Sequence, residues 1–247
     1  MISKKEIHNN YLFLIITEPG LSHKMANVNN QDAATFNFIE GDYVLAISDG
    51  VGSCINAEYG ANAAVKAVEN TFINIREKRS DINPHEIIKL IIQEWFRLLQ
   101  GYIPDECCST LKAVIKLKNT LILFSIGDGF IAFSAKNKCY ISPLERDFFV
   151  NQTHCLNKNV SEMDFWYSSY DLTSSMNYVV FACTDGIANG IQEGKEIELV
   201  TEADQNISKN DLLDEVKSIF VDISEYCSDD KTVGIVKYEG KDAKSSG

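Results

Sequence analysis

The chain has 247 residues, 45% of them hydrophobic and 23% charged, and a formal net charge of −12. That composition supplies a sizeable core, while the acidic balance disfavours nonspecific binding to nucleic acid or an anionic membrane, both of which need a Lys/Arg surplus. The longest N-terminal apolar stretch, Tyr11 to Ile16, is too short to span a bilayer and lacks a signal-cleavage pattern, so neither nucleic acid nor membrane is expected as a partner.

Tyr11–Thr17 reads as a strand closed by a Pro19-Gly20 turn. A polar stretch, His23 to Asn30, precedes a second strand at Ala33–Ile39, and Glu40-Gly41-Asp42 turns into a third at Tyr43–Ser48. After Gly52 the period changes. Ala57, Ala61, Ala64, Val65, Val68, Phe72 and Ile75 mark one face of a helix. A second helix opens with Asn83 as N-cap, Pro84 in the first turn and Glu86 behind it. Its stripe is Ile87, Ile88, Ile91, Ile92, Trp95, Leu98 and Leu99, and it stops at Gly101.

Leu111–Leu117 alternates, with Lys112 and Lys116 on one face and Ala113, Ile115 and Leu117 on the other. Lys118-Asn119 predicts a hairpin to Thr120–Ile126, and Phe130–Ala135 continues the meander, followed by a short strand at Cys139–Ile141. The segment 143–177 is less regular and mixes aromatic with polar residues. Tyr178–Thr184 is again a strand. Ser208 caps a third helix with the face Leu212, Leu213, Val216, Ile219, Phe220 and Ile223, and Thr232–Tyr238 is the last strand. Many antiparallel strands with an early helix pair give an α+β class rather than repeating βα units. No linker divides the chain, so a single domain over 1–239 and a disordered tail at 240–247 are expected.

Seven cysteines, with Cys107 beside Cys108 and no Cys-x-x-Cys pair, match neither a disulfide framework nor a zinc site. A reducing cytoplasm is the simplest location. Cys54, Cys139 and Cys183, near or within apolar runs, read as small buried hydrophobes.

The chemistry lies where strands end. Three strand-like runs finish in Asp-Gly, at Asp49-Gly50, Asp128-Gly129 and Asp185-Gly186, and a fourth run starts just after Asp229-Asp230. A single Asp-Gly is ordinarily a turn. Gly50 and Gly186, however, lead into helical or polar sequence and not into a partner strand; only Asp128-Gly129 looks like a two-residue hairpin. Carboxylates converging on one sheet edge repel one another unless a cation sits among them, and oxygen-rich sets suit magnesium or manganese.

Read with their neighbours, these motifs resemble the PP2C-type metal-dependent protein phosphatases, in particular compact bacterial members. The matching stretches run in family order: Asn30-Gln31-Asp32-Ala33, Ala46-Ile47-Ser48-Asp49-Gly50-Val51-Gly52, Ser109-Thr110, Ile126-Gly127-Asp128-Gly129, Thr184-Asp185-Gly186 and Asp229-Asp230-Lys231-Thr232. Asn151-Gln152-Thr153 is similar to a stretch of one bacterial branch. The resemblance implies a four-layer α-β-β-α sandwich of two antiparallel sheets, with metals at one edge and a flap at 143–177 beside the cleft. It implies two divalent cations, Mn or Mg. Asp49 would bridge them with the Gly50 carbonyl on the second, Asp185 and Asp229 would hold the first, and Asp32 would orient metal-bound water. Asp128, with Asp185, would make a third and weaker metal position.

The reaction so implied is in-line attack by metal-activated water on a phosphoserine or phosphothreonine, with Asp49 and Asp185 as catalytic carboxylates. The partner would be a phosphorylated protein, product of a Ser/Thr kinase, and the enzyme a monomer. Three positions depart from the family pattern. Gln31 stands where many eukaryotic members have Glu, Val51 where a His often follows, and Asn27 where a phosphate-binding Arg is expected. His23 is the substitute phosphate ligand in this reading, against the alternative of a simply solvated loop histidine. Phe148, Phe149, Trp166 and Tyr167 fall in the flap segment, where core packing is the competing role. Two other functions stay open on the sequence: a non-catalytic regulatory module on the same fold, and a small-molecule phosphomonoesterase.

Overall fold

The computed structural model describes residues 1–78, 83–144, 154–205, 208, 211–224 and 227–240. Two antiparallel sheets lie face to face. The first has six strands: β1 (Ile2–His8), β2 (Tyr11–Glu18), β11 (Lys231–Tyr238), β10 (Tyr178–Cys183), β7 (Phe130–Ala135) and β8 (Lys138–Ile141), hydrogen-bonded in that spatial order. The second has five: β3 (Asp32–Ile39), β4 (Asp42–Asp49), β5 (Leu111–Leu117), β6 (Thr120–Ile126) and β9 (Trp166–Asp171).

Three apolar layers hold the stack together. Phe13, Leu45, Val114, Leu123, Ile131, Val180 and Val236 fill the space between the sheets. Helices α2 (Ala57–Lys78) and α3 (Pro84–Leu98) cover the outer face of the five-stranded sheet through Ala61, Ala64, Val68, Phe72, Ile88, Ile91 and Trp95. The expected Asn83 cap is present: its side chain accepts the His85 N–H at 2.9 Å. On the six-stranded side, α4 (Asp185–Ala188), α5 (Glu196–Gln205) and α6 (Leu212–Ser224) bury Ile187, Val200, Leu212, Val216 and Phe220 against Leu14, Phe181 and Ile235. The result is the α-β-β-α sandwich. Among the described residues no helix is long and apolar enough to cross a membrane.

Several local expectations change. Strands β6 and β7 do not pair; they belong to different sheets, so Asp128-Gly129 is a crossover between layers and not a hairpin turn. Gly127 and Gly129 take φ of +82° and +83° there. A Cβ on Gly129 would collide with the Cys183 carbonyl oxygen, so glycine lets this crossover lie against the end of β10.

The two lysines of β5 are buried, not solvated: Lys112 donates to the Ile126 and Gly127 carbonyls at 3.0 and 2.5 Å, and Lys116 to those of Gly41 and Lys118 at 2.7 and 2.6 Å. Within 143–177, residues Trp166–Asp171 form edge strand β9 on β6. Trp166 packs on the inter-sheet core, while Tyr167 is exposed, its hydroxyl 3.2 Å from His85 Nε2. Phe148, Phe149 and Asn151-Gln152-Thr153 lie outside the described residues, as does 241–247 of the tail. Cys54 and Cys139 are only half-buried; Cys183 is buried.

Candidate metal centre

One edge of the sandwich collects the acidic strand ends. Asp32 begins β3 and Asp49 ends β4, and the two are direct partners in the ladder. Asp49 is fixed by Thr110: the Thr110 hydroxyl accepts the Asp49 N–H at 3.0 Å, and the Thr110 N–H donates to the Asp49 carbonyl at 2.8 Å. The Gly50 N–H donates to the Gln31 carbonyl at 3.2 Å, joining the first two motifs.

From the other sheet, β10 delivers Thr184 and Asp185. The Thr184 hydroxyl donates to Asp32 Oδ2 at 2.9 Å and accepts the Thr232 N–H at 3.0 Å. One side chain thereby couples β3, β10 and β11 across the two sheets. Asp185 opens α4, and Gly186 lies so close to the Asp230 carbonyl oxygen that a Cβ would collide with it. The chain carrying Asp229 is thus held beside Asp185.

These carboxyl groups also act on one another electrostatically. Burial first, then the charges of Asp32, Asp185 and Asp229, push the Asp49 carboxyl well above the usual range. Burial, Asp229 and Asp128 raise Asp185 to about 6. Burial raises Asp32 to about 7, with Asp230 adding to it and the Thr232 and Thr184 hydrogen bonds opposing it. Each of the five carboxylates expected in the metal set is therefore felt by another of the set or bears on one. Among the described residues no three His, Cys, Asp or Glu side chains form a ready-made cation cage.

The donor set fits a hard divalent cation. It is made of carboxylate oxygens with a backbone carbonyl at Gly50 within the same turn. Asp32 Oδ1 is buried and has no hydrogen-bond partner among the described residues, an orphan acceptor that an ion or its water shell would satisfy.

The sequence reading missed the role of Asp230. It is 2% exposed and accepts from Gly20 N–H at 2.6 Å and Gln31 N–H at 2.6 Å, and its Oδ2 lies 2.9 Å from His23 Nδ1. It ties α1 (Leu21–Ala26) and the approach to Asp32 onto the start of β11. The second Asp of Asp229-Asp230 was the available signal, since paired acidic residues before a strand leave one side chain to turn inward. His23 accordingly has Nδ1 engaged, while Nε2 makes no hydrogen bond to a described residue. Asn27 ends α1 in the left-handed conformation and is exposed, and Val51 gives its N–H to the Cys108 carbonyl at 2.9 Å.

The comparisons with known proteins agree with this architecture. A magnesium complex of RsbX superposes with a TM-score of 0.68 at 12% identity, over 96% of this chain and 100% of that one. The catalytic domain of the serine/threonine phosphatase PstP with two manganese ions gives 0.63 at 14%, over 93% and 98%. Serine-threonine phosphatase 2C from Toxoplasma gondii gives 0.65 at 13%, over 96% and 99%. At such identities the likeness shows the fold. No curated protein matches by sequence. The sequence model of protein phosphatase 2C matches residues 19–220, and on that match the chain belongs to the protein phosphatase 2C family, metal-dependent enzymes that hydrolyse serine and threonine phosphates of proteins.

Proposed function

We propose that this chain dephosphorylates proteins with Asp49, Asp185 and Asp229 as its principal metal-holding carboxylates, assisted by the Gly50 carbonyl. The observation that carries the assignment is the mutual electrostatic contact of Asp49 with Asp32, Asp185 and Asp229 on one sandwich edge. Divalent cations bound there supply charge neutralisation for the phosphate and a lowered pKa for water. Asp32, held by Thr184 and by the Asn30 side chain on its N–H (3.0 Å), presents Oδ1 to orient the attacking water. His23, positioned by Asp230, offers Nε2 to a phosphate oxygen in place of the missing arginine. Asp128, against Asp185, provides a third and weaker metal position, supported by its charge acting on Asp185.

The reading extends to two resident cations, manganese or magnesium, in one catalytic unit over 1–239 with 143–177 flanking the cleft. It also takes the substrate to be the product of a Ser/Thr kinase and the enzyme to be a cytoplasmic monomer; the seven free thiols support a reducing compartment. A substrate panel in manganese tests the reading. Phosphoserine and phosphothreonine peptides are expected to turn over at higher kcat/KM than small phosphorylated metabolites, and EDTA to abolish both. Preference for the metabolites would replace a protein substrate with a small one, and metal binding without turnover would indicate a regulatory module.

A further inference from the structure

Beside the Asp49–Gly50 turn lies a group of thiols for which the phosphatase chemistry has no use. Cys54 sits in the turn between Gly50 and α2, its N–H donating to the Val51 carbonyl at 2.8 Å. Cys108 follows the short helical turn Pro104–Glu106, and its carbonyl accepts the Val51 N–H. The Cys54 and Cys108 thiols both donate to one acceptor, the Asp105 carbonyl, at 3.3 and 3.4 Å. They therefore stand side by side. Cys155 adjoins them through the Ser109–Leu156 bridge, and its sulfur accepts from Asn157 Nδ2 at 3.8 Å. All three cysteines are half-buried and reduced, whereas Cys107 and Cys183 are buried.

We infer that Cys54 and Cys108 form a reversible thiol–disulfide site, oxidised by a hydroperoxide, that resets the turn carrying Asp49 and Gly50. One thiol, as thiolate, attacks the peroxide O–O bond; it becomes a sulfenic acid and releases one water or alcohol. The second sulfur then displaces the sulfenic oxygen as water, closing the S–S bond. Two thiol hydrogens and two electrons leave the protein, and the peroxide is reduced by the same two electrons. Burial raises the Cys108 and Cys155 thiols.

The structural consequence follows from bond length. A disulfide brings the sulfurs to about 2.05 Å, so both must leave the shared Asp105 carbonyl and draw Cys54 towards Cys108. Residues 51–54 are the only covalent path between Gly50 and Cys54, and the Val51 N–H is already pinned to Cys108. The strain enters the turn next to Asp49. On the reading of Asp49 and Gly50 as metal ligands, manganese affinity falls about 10- to 100-fold, the range for disturbing the support of a ligand.

The experiment treats the full-length protein with stoichiometric hydrogen peroxide and follows peptide mass, amide hydrogen exchange of residues 49–56, and manganese binding. The expected result is a Cys54–Cys108 linked peptide, altered exchange in that segment, weakened manganese binding, and reversal of all three by dithiothreitol. Cys54→Ser and Cys108→Ser should each abolish the response, and Cys155→Ser should keep it. No linkage, or linkage of Cys108 to Cys155 instead, overturns the assignment, and so does linkage with unchanged exchange at 49–56. Altered exchange in a protein that binds no manganese even when reduced would uphold the thiol site and contradict the metal reading, so the two fail separately.

Discussion

Asp32 and Asp49 face each other as direct cross-strand partners at the open end of the β3–β4 ladder. Like charges opposite one another destabilise a sheet, and here both are also withdrawn from water. The arrangement persists because Thr184 donates to one carboxylate and Thr110 brackets the backbone of the other. On the proposed reading its chemical use is to hold a cation.

Without metal, this edge should make stability depend on pH in an unusual sense. Burial raises Asp32 to about 7 and Asp185 to about 6, and raises Asp49 well above its ordinary range, all above their unfolded value of about 3.9. For acids raised on folding, the stability is fully present below the unfolded pKa and is lost as pH rises through the folded values. In EDTA, thermal stability should therefore fall as pH rises from about 4 to about 7, the interval between the unfolded and folded values. Saturating manganese should cancel the decline. A melting temperature flat across that range in EDTA would contradict the assigned environment.

Asp230 carries a structural load that its neighbour Asp229 does not. Asp230→Ala leaves the Gly20 and Gln31 N–H groups without their acceptor and frees His23. We expect a loss of about 2–5 kcal/mol in denaturant unfolding, whereas Asp229→Ala, on an exposed side chain, should change stability little and manganese affinity strongly. Equal destabilisation by the two substitutions would refute the division of labour.

Thr184 tests whether the sheets are coupled at the site. Thr184→Val keeps the shape but removes the donor to Asp32 and the acceptor of the Thr232 N–H. It should cost about 1–3 kcal/mol and weaken manganese about 10- to 100-fold. Thr184→Ser should restore both in calorimetric titration; failure of serine to do so would point to packing of the methyl group.

For His23, the readout is a split between KM and kcat. His23→Ala should raise KM about tenfold, roughly 1.4 kcal/mol, alike for a phosphothreonine peptide and para-nitrophenyl phosphate. Manganese affinity should stay within a factor of about two, well below the 10- to 100-fold loss of a true supporting group. A change confined to manganese affinity would mean that His23 serves only the Asp230 clamp.

Much of the architecture is readable in the residues, because strands such as Val44–Ser48 and Tyr178–Thr184 are strongly apolar and the α2 and α3 stripes keep helical spacing. What escapes has definite physical causes. Strand β1 is an edge strand of exposed and charged residues, a common protection of free edges that carries no hydrophobic signature. Strand β9 alternates inward Trp166, Ser168 and Tyr170 with outward neighbours, and its two serines dilute the pattern. Helix α5 buries little beyond Glu196, Val200 and Ala203.

Pairing is harder to read than strand content. Nothing local in Ile126-Gly127-Asp128-Gly129-Phe130 states that its flanking strands separate into different sheets, since Asp-Gly suits a hairpin equally well. The buried lysines are the same kind of case: Lys112 looks solvent-facing until backbone carbonyls from the next strand are placed around its amine. At the site, Asp49, Asp128, Asp185 and Asp229 are legible as strand-end acids, whereas Asp32 is picked out only by the family resemblance. The inward turn of Asp230 and the bridging hydroxyl of Thr184 depend on chain segments about 150 to 210 residues apart and carry no local signal.

The most direct test of the account is manganese-dependent hydrolysis of a phosphothreonine peptide by the wild type and by Asp185→Asn, with manganese binding measured on both. Turnover abolished by EDTA, together with loss of turnover and weakened manganese binding in a folded Asp185→Asn, is the result the account predicts. Turnover that persists in EDTA and in Asp185→Asn would contradict the carboxylate edge as the catalytic centre.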